Sequence, residues 1–283
     1  MNVQTKNEAN LTYREYPGFS QNIAESEVDY HVENLKILGY SVIKNAFSPE
    51  KAKEIADKLE KLYAKQDAEF GKERLKELNE SEVHRGLLVE DEIFLQMVCE
   101  PQVLQVVHRH VGKTSILNLQ NASCASPGAK HYQSAWHRDF AKDFTVSKCI
   151  AMNAFWCISD FTAENGATWI LPYSHRLEDF PSERFIIENS KQLTVPAGSI
   201  ILWDSLLLHK AGFNHTDARR FGVNHMYTRP FLKQQIDFPE YLKGKIDVES
   251  QLGQLLGFWA IPPKSIAEFR VNPDKRTYRR GQG

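Results

Sequence analysis

The first part of the chain has apolar residues every three or four positions, the spacing of amphipathic helices. Gly39 is placed to end the first of these helices, and Ser48 followed by Pro49 is placed to cap and begin the second. The charged stretch 71–83 is predicted to be solvated. Helices are predicted over four segments, at about 28–38, 49–62, 92–99 and 102–111.

After residue 112 the apolar residues fall into short runs separated by turn sequences such as Pro-Gly and Asn-Gly. Many short strands without regular helices between them favour an antiparallel barrel or double sheet. The predicted fold class is therefore mainly β with a helical N-terminal cover, a double-stranded β-helix of the jelly-roll, cupin-like type. Strands are predicted at 40–43, 115–123, 132–136, 148–159, 168–171, 192–195, 199–203, 206–209 and 220–227.

One domain is predicted, because the chain shows no internal repeat and no low-complexity linker. Residues 1–26 lack apolar periodicity and are expected to form a tail. The domain then spans 27–283, with a helical cover at 27–112, a β-helix core at 113–232 and a C-terminal segment at 233–283.

Composition narrows the functional classes. Of the 283 residues, 42% are hydrophobic and 25% are charged, as in an average soluble domain. The 35 Lys and Arg nearly balance the 36 Asp and Glu, so we expect no nucleic-acid partner. No apolar run is long enough for a membrane span, so we expect no membrane partner, and from the polar start we expect no secretory signal. Four cysteines without a C-x-x-C pair predict free thiols in a reducing cytoplasm.

A His-x-Asp/Glu motif, whose two side chains can bind one metal ion, begins at His31, His137 and His215. His31 lies in a predicted helix, where residues two apart diverge, and is expected at the surface. His215 lies in a polar turn and is expected in a solvated loop. The motif that begins at His137 follows a predicted strand and ends at Asp139, so both side chains can face the same side.

A third ligand is available at His209, at the end of an almost wholly apolar run. The alternative for His209 is a core histidine that bonds to the backbone. Two histidines and one carboxylate leave coordination positions open, which is typical of non-haem Fe(II) oxygenases. Their usual cosubstrate, 2-oxoglutarate, has a distal carboxylate that needs a buried cation, and Arg219 and Arg220 follow on the next strand.

At this point the chain resembles the phytanoyl-CoA dioxygenase (PhyH) family of Fe(II)/2-oxoglutarate-dependent oxygenases, from about residue 30 to 232. The matching motifs are Leu38-Gly39-Tyr40-Ser41-Val42-Ile43, Ser48-Pro49-Glu50, Trp136-His137-Arg138-Asp139, Glu164-Asn165-Gly166-Ala167-Thr168, Leu171-Pro172-Tyr173-Ser174-His175-Arg176, Pro196-Ala197-Gly198-Ser199 and Leu208-His209, followed eleven residues later by Arg220.

The resemblance implies that His137, Asp139 and His209 bind the iron. It assigns the C5 carboxylate of 2-oxoglutarate to Arg220, with Arg219 as the competitor on the opposite face of the strand.

The resemblance also places two further residues beside the cosubstrate. Trp156 is expected to lie next to 2-oxoglutarate, with a core tryptophan as the alternative. Asn121 is expected to help hold the C1 carboxylate, with a structural hydrogen bond as the alternative.

The chain departs from the family at two positions and keeps a diagnostic residue at a third. Ala211 replaces a serine that in many relatives bonds the cosubstrate, so that hydrogen bond must come from elsewhere or be absent. Tyr173 replaces a glycine, so the turn is expected to differ locally. Asp139 is a carboxylate where related halogenases have a small residue, which favours oxygen transfer over halogenation.

The predicted function is a dioxygenase that uses Fe(II), 2-oxoglutarate and O2 and hydroxylates a small molecule, secondary-metabolite or amino-acid-like, with release of succinate and CO2. Two alternatives stay open: a jelly-roll metal enzyme that does not use 2-oxoglutarate, and a catalytically silent binding protein of the same fold. Four cations are expected near the pocket mouth: Arg85, Arg138, Lys142 and Arg229.

Overall fold

The computed structural model describes residues 24–129, 131–139, 147–279, 281 and 282. Most of the predicted tail at 1–26 and the predicted pocket cation Lys142 lie outside these residues. Within the described part of the chain, none of the helices combines the length and the apolar composition that a membrane crossing requires.

In the part of the chain that the structure describes, nine strands form two antiparallel sheets. They are β1 (Tyr40–Ile43), β2 (Val83–Arg85), β3 (Ile116–Ala125), β4 (Ala151–Cys157), β5 (Trp169–Ile170), β6 (Lys191–Gln192), β7 (Ile200–Asp204), β8 (His209–Lys210) and β9 (Arg220–Thr228). The larger sheet has the order β1-β7-β4-β9-β3-β2, and the smaller has the order β6-β5-β8. The two-sheet arrangement agrees with the predicted jelly-roll class.

Most of the helical residues belong to the first part of the chain. The helices are α1 (Glu27–Ile37), α2 (Pro49–Phe70), α3 (Lys72–Glu77), α4 (Glu92–Val98), α5 (Pro101–His110), α6 (Glu183–Asn189), α7 (Phe238–Tyr241), α8 (Gln251–Leu255) and α9 (Ile266–Phe269). Ser48 caps α2 by accepting a hydrogen bond from the Lys51 N–H, as the sequence predicts.

The larger sheet separates two apolar cores. One face packs against the N-terminal helices, with Leu59 and Trp156 among the buried residues. The other face forms an inner core towards the smaller sheet, with Phe155, Phe161 and Trp203. Every residue of β4 is buried, since this strand carries apolar side chains into both cores.

The segment predicted as a helical cover also contributes to the sheet. β1 pairs with β7 at one edge, and β2 pairs with β3 at the other. The C-terminal segment also joins the helix-side core, through Phe238 and Leu255. The division of the single predicted domain into cover, core and C-terminal segment stays a prediction.

The charged stretch 71–83 is mostly exposed, as predicted, and only Leu75 and Val83 are buried, in α3 and at the start of β2. Two other local predictions are wrong. Segment 132–136 begins with a 3-10 turn, Tyr132–Ser134, instead of a strand. His31 is only 8% exposed, because the buried face of α1 includes it and its Nδ1 lies 2.8 Å from Ser41 Oγ.

Candidate active site

Three side chains converge at one end of the inner core. The ligand atoms of His137, Asp139 and His209 all lie within 4.8 Å of one another. Asp139 Oδ1 is 3.6 Å from His137 Nε2 and 3.5 Å from His209 Nε2. An antiparallel bridge brings the two histidines together, each N–H donating to the carbonyl of the other at 3.0 Å. The sequence therefore predicted which three residues meet.

Backbone hydrogen bonds orient both imidazoles. Nδ1 of His137 lies 2.9 Å from the Ala135 carbonyl, and Nδ1 of His209 lies 2.9 Å from the Leu207 carbonyl. A carbonyl only accepts, so each Nδ1 carries the proton in the neutral ring and each Nε2 keeps its lone pair. The two lone pairs are directed at Asp139, which is the arrangement that a metal ion requires of its histidine ligands.

Asp139 is held by two further contacts. Its Oδ2 accepts a hydrogen bond of 3.2 Å from the indole Nε1 of Trp203, and its N–H donates to the Ser205 carbonyl at 3.1 Å. Burial opposes ionisation of the carboxyl, but the adjacent imidazoles of His209 and His137 outweigh it and hold the pKa of Asp139 well below its ordinary value. The carboxylate is therefore ionised and ready to bind a cation.

The centre is electrostatically suited to a positive ion. Burial lowers the pKa of His209, but the attraction of Asp139 is strong enough to raise that pKa overall. A cation in the cluster, whether a proton or a metal ion, is thus stabilised by the carboxylate. A divalent metal would replace the proton and use the same lone pairs.

Arg220 lines the same cavity as the three clustered residues. It is 2% exposed, and its guanidinium lies 4.1 Å over the ring of Phe161. Among the described residues, its Nε and Nη1 have no hydrogen-bond partner. Burial lowers the pKa of Arg220 to about 10, so it is still a cation at neutral pH. A buried cation without a carboxylate partner needs an anion.

Arg219 faces the other way. Its Nη1 lies 2.8 Å from a carboxylate oxygen of Glu60, and its guanidinium lies 5.1 Å from the ring centre of Tyr63 on α2. The two arginines are therefore on opposite faces of the strand, as alternation along β9 predicts.

Asn121 also lines the cavity, directly opposite Asn224 in the β3–β9 register. With its amide oriented to satisfy both groups, Asn121 accepts from Arg85 Nη1 at 3.1 Å and donates to the Gln120 carbonyl at 2.9 Å. Asn224 accepts a hydrogen bond of 3.1 Å from Asn153. The cavity thus holds two amides whose positions are fixed by neighbours.

The placement of Trp156 corrects the sequence prediction. Its side chain packs in the helix-side core, 5.1 Å from the ring of Phe47, and it is not among the residues that line the cavity. The neighbouring Phe155 lines the cavity instead. Both faces of β4 are apolar, so the sequence carries no alternation that shows which aromatic residue points inward.

The cavity residues that the sequence interpretation missed include Thr168, Trp203 and Asn224. Thr168 lines the cavity. Antiparallel pairing of β5 with β8 sets Trp169 opposite Lys210, so Thr168, just before β5, lies opposite Ala211, just after β8. Trp203 was missed because its bond to Asp139 joins distant parts of the chain. Side chains an even number of residues apart on a strand face the same side, so the four-residue separation of Asn224 from Arg220 could have identified Asn224.

Of the described cations predicted at the pocket mouth, Arg85 adjoins the cavity, because its Nη1 donates to Asn121 at 3.1 Å while it also pairs with Glu80 at 2.8 Å. Arg138 is buried and donates to the carbonyls of Ser174 and Leu177. Arg229 lies beside Gly112, and none of the three lines the cavity.

Tyr173 has the backbone conformation that glycine adopts most easily. Its φ is +69°, in the left-handed region, although it is not glycine. Ser174 accepts a hydrogen bond of 2.8 Å from the Leu208 N–H and so shapes the chain just before His209.

Comparisons with known proteins give one family. The family model for phytanoyl-CoA dioxygenase (PhyH) matches residues 38–222. An uncharacterised Mycobacterium tuberculosis protein, Rv1501, is 32% identical over 268 residues, which are 91% of this chain and 97% of the relative. Dioxygenase af480 of Aspergillus fumigatus is 27% identical over 176 residues, 59% of this chain and 55% of the relative.

The fold has solved counterparts. The crystal structure of HygX from Streptomyces hygroscopicus, with nickel and 2-oxoglutarate bound, superposes with a TM-score of 0.57 and 15% identity, over 74% of this chain and 90% of that one. EvdMO1 gives the same TM-score at 17% identity, over 72% of this chain and 50% of that one. These similarities confirm the predicted jelly-roll class.

Proposed function

The chain belongs to the phytanoyl-CoA dioxygenase family and is a 2-oxoglutarate-dependent non-haem iron dioxygenase, and from this premise we propose which residues perform the reaction and on what class of substrate. His137, Asp139 and His209 hold Fe(II), and Arg220 holds the distal carboxylate of 2-oxoglutarate. The substrate is a small molecule, which the enzyme hydroxylates.

The donor set supports the metal assignment. Two imidazole nitrogens and one carboxylate meet within 4.8 Å and would together hold a divalent metal. The remaining coordination positions are left for other ligands, as in oxygenases with this set of residues. With Fe(II), 2-oxoglutarate and O2, such a centre supplies the oxidation: 2-oxoglutarate becomes succinate and CO2, and one oxygen atom goes to the substrate.

One observation carries the cosubstrate assignment: Arg220 is a buried guanidinium, and two of its nitrogens have no partner among the described residues. A guanidinium presents parallel N–H groups that match a carboxylate in a bidentate contact. The distal carboxylate of 2-oxoglutarate would neutralise this charge. Phe161 beneath the guanidinium keeps water from one of its faces.

Polar groups on the wall can orient the rest of the cosubstrate. Asn121 is proposed to bond the C1 carboxylate, since its amide lines the cavity. Thr168 is proposed to supply the hydroxyl that the chain lacks at Ala211, because the register places the two residues opposite each other. Trp156 has no part in the site.

Asp139 also bears on the outcome of the reaction, because its carboxylate fills a position that a halide would need. Asp139→Gly should vacate that position and weaken binding of a divalent metal, measured by calorimetric titration. In parallel, the wild-type enzyme should hydroxylate its substrate and leave added chloride unincorporated by mass spectrometry. Efficient chlorination by the wild type would show that the carboxylate does not decide the outcome.

The substrate class is the least constrained part of the proposal. A secondary-metabolite or amino-acid-like molecule is proposed from the family, and one HygX structure holds hygromycin B, a small molecule. The four cysteines, which are all free in the structure, support a reducing, cytoplasmic location.

Thermal stabilisation is the direct test of the cofactor assignment. With Mn²⁺ as a redox-inert metal, 2-oxoglutarate should raise the melting temperature, and glutarate, which lacks the keto group that chelates the metal, should raise it less. With Fe(II) and O2 the protein should then form succinate. An enzyme that binds the metal but gains nothing from 2-oxoglutarate would favour the alternative metal enzyme, and one that binds neither would favour the silent binding protein.

A further inference from the structure

A second group of metal-ligand side chains lies outside the active-site cavity. The donor atoms of His110, Cys149 and Asp204 all lie within 4.8 Å of one another. His110 is the last residue of α5, Cys149 precedes β4, and Asp204 is the last residue of β7. None of the three lines the cavity that holds Arg220.

Asp204 is a buried carboxylate in need of a cation. It is 7% exposed, and Oδ1 accepts a hydrogen bond of 2.9 Å from the Leu206 N–H. Burial raises the pKa of Asp204, although the hydrogen bonds that it accepts and the positive charge of Arg176 act in the opposite direction. A carboxylate in such a place is stabilised by a bound cation or by a proton.

His110 offers a free lone pair beside it. Its Nε2 is buried and lacks a hydrogen-bond partner within the described part of the chain. Burial, reinforced by Lys36, His175 and Arg176, lowers the pKa of His110 to about 4. The ring is therefore neutral at physiological pH, which is the form that binds a metal.

Cys149 completes the group with sulfur. Its Sγ lies 3.2 Å from the Ala151 carbonyl, and its thiol also interacts with Asp204. Burial, and next the charge of Asp204, raises the pKa of the thiol well above its ordinary value. Without a metal the cysteine is thus a thiol, and a bound metal would convert it to a thiolate.

From this convergence we propose that His110, Cys149 and Asp204 form a second metal site, which takes a divalent cation of the zinc type. Sulfur, nitrogen and oxygen from cysteine, histidine and aspartate are the protein ligands of zinc, and three of them leave one tetrahedral position for water. The active-site cluster has no sulfur, so the two sites differ in the metal that they prefer. This proposal does not depend on the function proposed above.

Four basic side chains line the same cavity: Lys36, Lys148, Arg176 and Arg229. Their charge opposes a divalent cation, so metal binding must rely on the two negative charges that a thiolate and a carboxylate bring to the ion. A rival occupant is a small anion such as phosphate, held by the same four cations without a metal.

A metal here would join three distant parts of the fold. Asp204 follows Trp203, whose indole bonds Asp139, and it precedes Ser205, whose carbonyl accepts from the Asp139 N–H. Fixing Asp204 would therefore stiffen the stretch of chain that orients Asp139.

Cobalt distinguishes the two sites, because only this one has a thiolate. The metal-free full-length protein should bind two equivalents of Co²⁺, one of which should give an intense sulfur-to-cobalt charge-transfer band in the near ultraviolet. Cys149→Ser should abolish the band and one equivalent, while His137→Ala should lose the other equivalent and keep the band. Cys99→Ser, at a partly buried cysteine outside the cluster, is the matched control and should keep both.

Zinc and phosphate extend the test. Zn²⁺ should raise the melting temperature of His137→Ala, and this rise should disappear when Asp204→Asn is added. Binding of 2-oxoglutarate in Cys149→Ser reports that the variant is folded. The absence of a thiolate band in the wild type, or its persistence in Cys149→Ser, would overturn the proposal. Stabilisation by phosphate alone, lost in Arg229→Gln, would replace it with an anion site.

Discussion

At the scale of single residues, two charged groups define what the cavity binds. Asp139 is an ionised carboxylate between two imidazoles, and Arg220 is a guanidinium over an aromatic ring. Burying either charge without a ligand is unfavourable, and ligand binding offsets this cost. A metal cation would stabilise Asp139, and a carboxylate would stabilise Arg220. Their neighbours, Trp203 and Phe161, fix the direction in which each charge is presented.

Arg220→Ala should weaken 2-oxoglutarate binding by two to three orders of magnitude. Removing one partner of a buried charge pair costs about 3–5 kcal/mol, and each tenfold in affinity is about 1.4 kcal/mol. Arg220→Lys should weaken 2-oxoglutarate binding less than Arg220→Ala but still bind it more weakly than the wild type, because an ammonium cannot present two parallel N–H donors to a carboxylate. Affinity would be measured anaerobically with metal bound.

Arg219→Ala is the control for that measurement, since its side chain pairs with Glu60 outside the cavity. It should bind 2-oxoglutarate like the wild type. A loss in Arg219→Ala with none in Arg220→Ala would contradict the assignment of the two faces of β9.

Trp203→Phe should lower metal affinity by about 10- to 100-fold, the usual effect of removing a hydrogen bond to a metal ligand. The ring is largely retained, and only the N–H that donates to Asp139 at 3.2 Å is lost. Metal affinity would be measured by competition with a chelator. Trp259→Phe removes a comparable indole bond, 2.7 Å to the Val248 carbonyl, and should leave the affinity unchanged. Equal affinities in all three proteins would show that Trp203 does not position Asp139.

At the scale of elements, the turn before β7 ties the larger sheet to the start of α2. The Gly198 carbonyl accepts hydrogen bonds from the Ala46 and Phe47 N–H groups at 2.8 and 3.2 Å. Gly198 has a φ of +86°, and a Cβ there would lie 2.5 Å from the Phe47 carbonyl oxygen. The position therefore needs glycine for two reasons, the backbone angle and the space.

Gly198→Ala should destabilise the fold by more than the roughly 1–3 kcal/mol of a strained backbone alone, because the backbone must also move away. Gly244→Ala tests the strain by itself, since Gly244 has a φ of +75° with open space around its Cβ position. Urea unfolding would compare both variants with the wild type. Equal losses in the two variants would mean that the turn accommodates the methyl group.

At the scale of the whole molecule, buried neutral histidines make stability depend on pH. Burial lowers the pKa of His225 to about 3 and that of His131 to about 4. His225 lies within a closed network, with its Nε2 2.9 Å from Gln120 Nε2 and its Nδ1 3.3 Å from Tyr227 Oη. Protonation of its ring would break this network.

The free energy of unfolding should therefore fall as the pH drops below about 6.5, the pKa of an unfolded histidine. Both folded-state pKa values are lowered, so the unfolded chain takes up protons first, and each histidine costs about 1.4 kcal/mol per pH unit until its folded pKa is reached. His209, whose pKa is raised, acts in the opposite direction.

Comparing the wild type with His225→Gln isolates one of these contributions. Urea unfolding in chelator between pH 7.5 and 5 should show similar slopes at the upper end and, below about pH 6.5, a slope that is shallower by about 1.4 kcal/mol per pH unit in the variant. Parallel curves throughout would show that folding does not lower the pKa of His225.

The sequence by itself determined the features that depend on neighbours along the chain. Helix α2 follows from its cap, its first-turn proline and its apolar stripe. The separation of Arg219 from Arg220 follows from alternation along a strand, which holds wherever the strand lies. The pairing of His137 with Asp139 follows from a two-residue spacing, because covalent geometry limits how far apart such side chains can be.

Only the tertiary structure decided the features that depend on distant partners. It showed that Phe155, and not Trp156, points into the cavity. Because β4 is buried on both faces, the sequence does not indicate which of these aromatic side chains faces inward. It also brought Trp203 to Asp139, and His110 and Cys149 to Asp204. These contacts join residues tens of positions apart, and chain spacing does not encode them. They arise from the packing of sheet and helices, which sets the distance between elements.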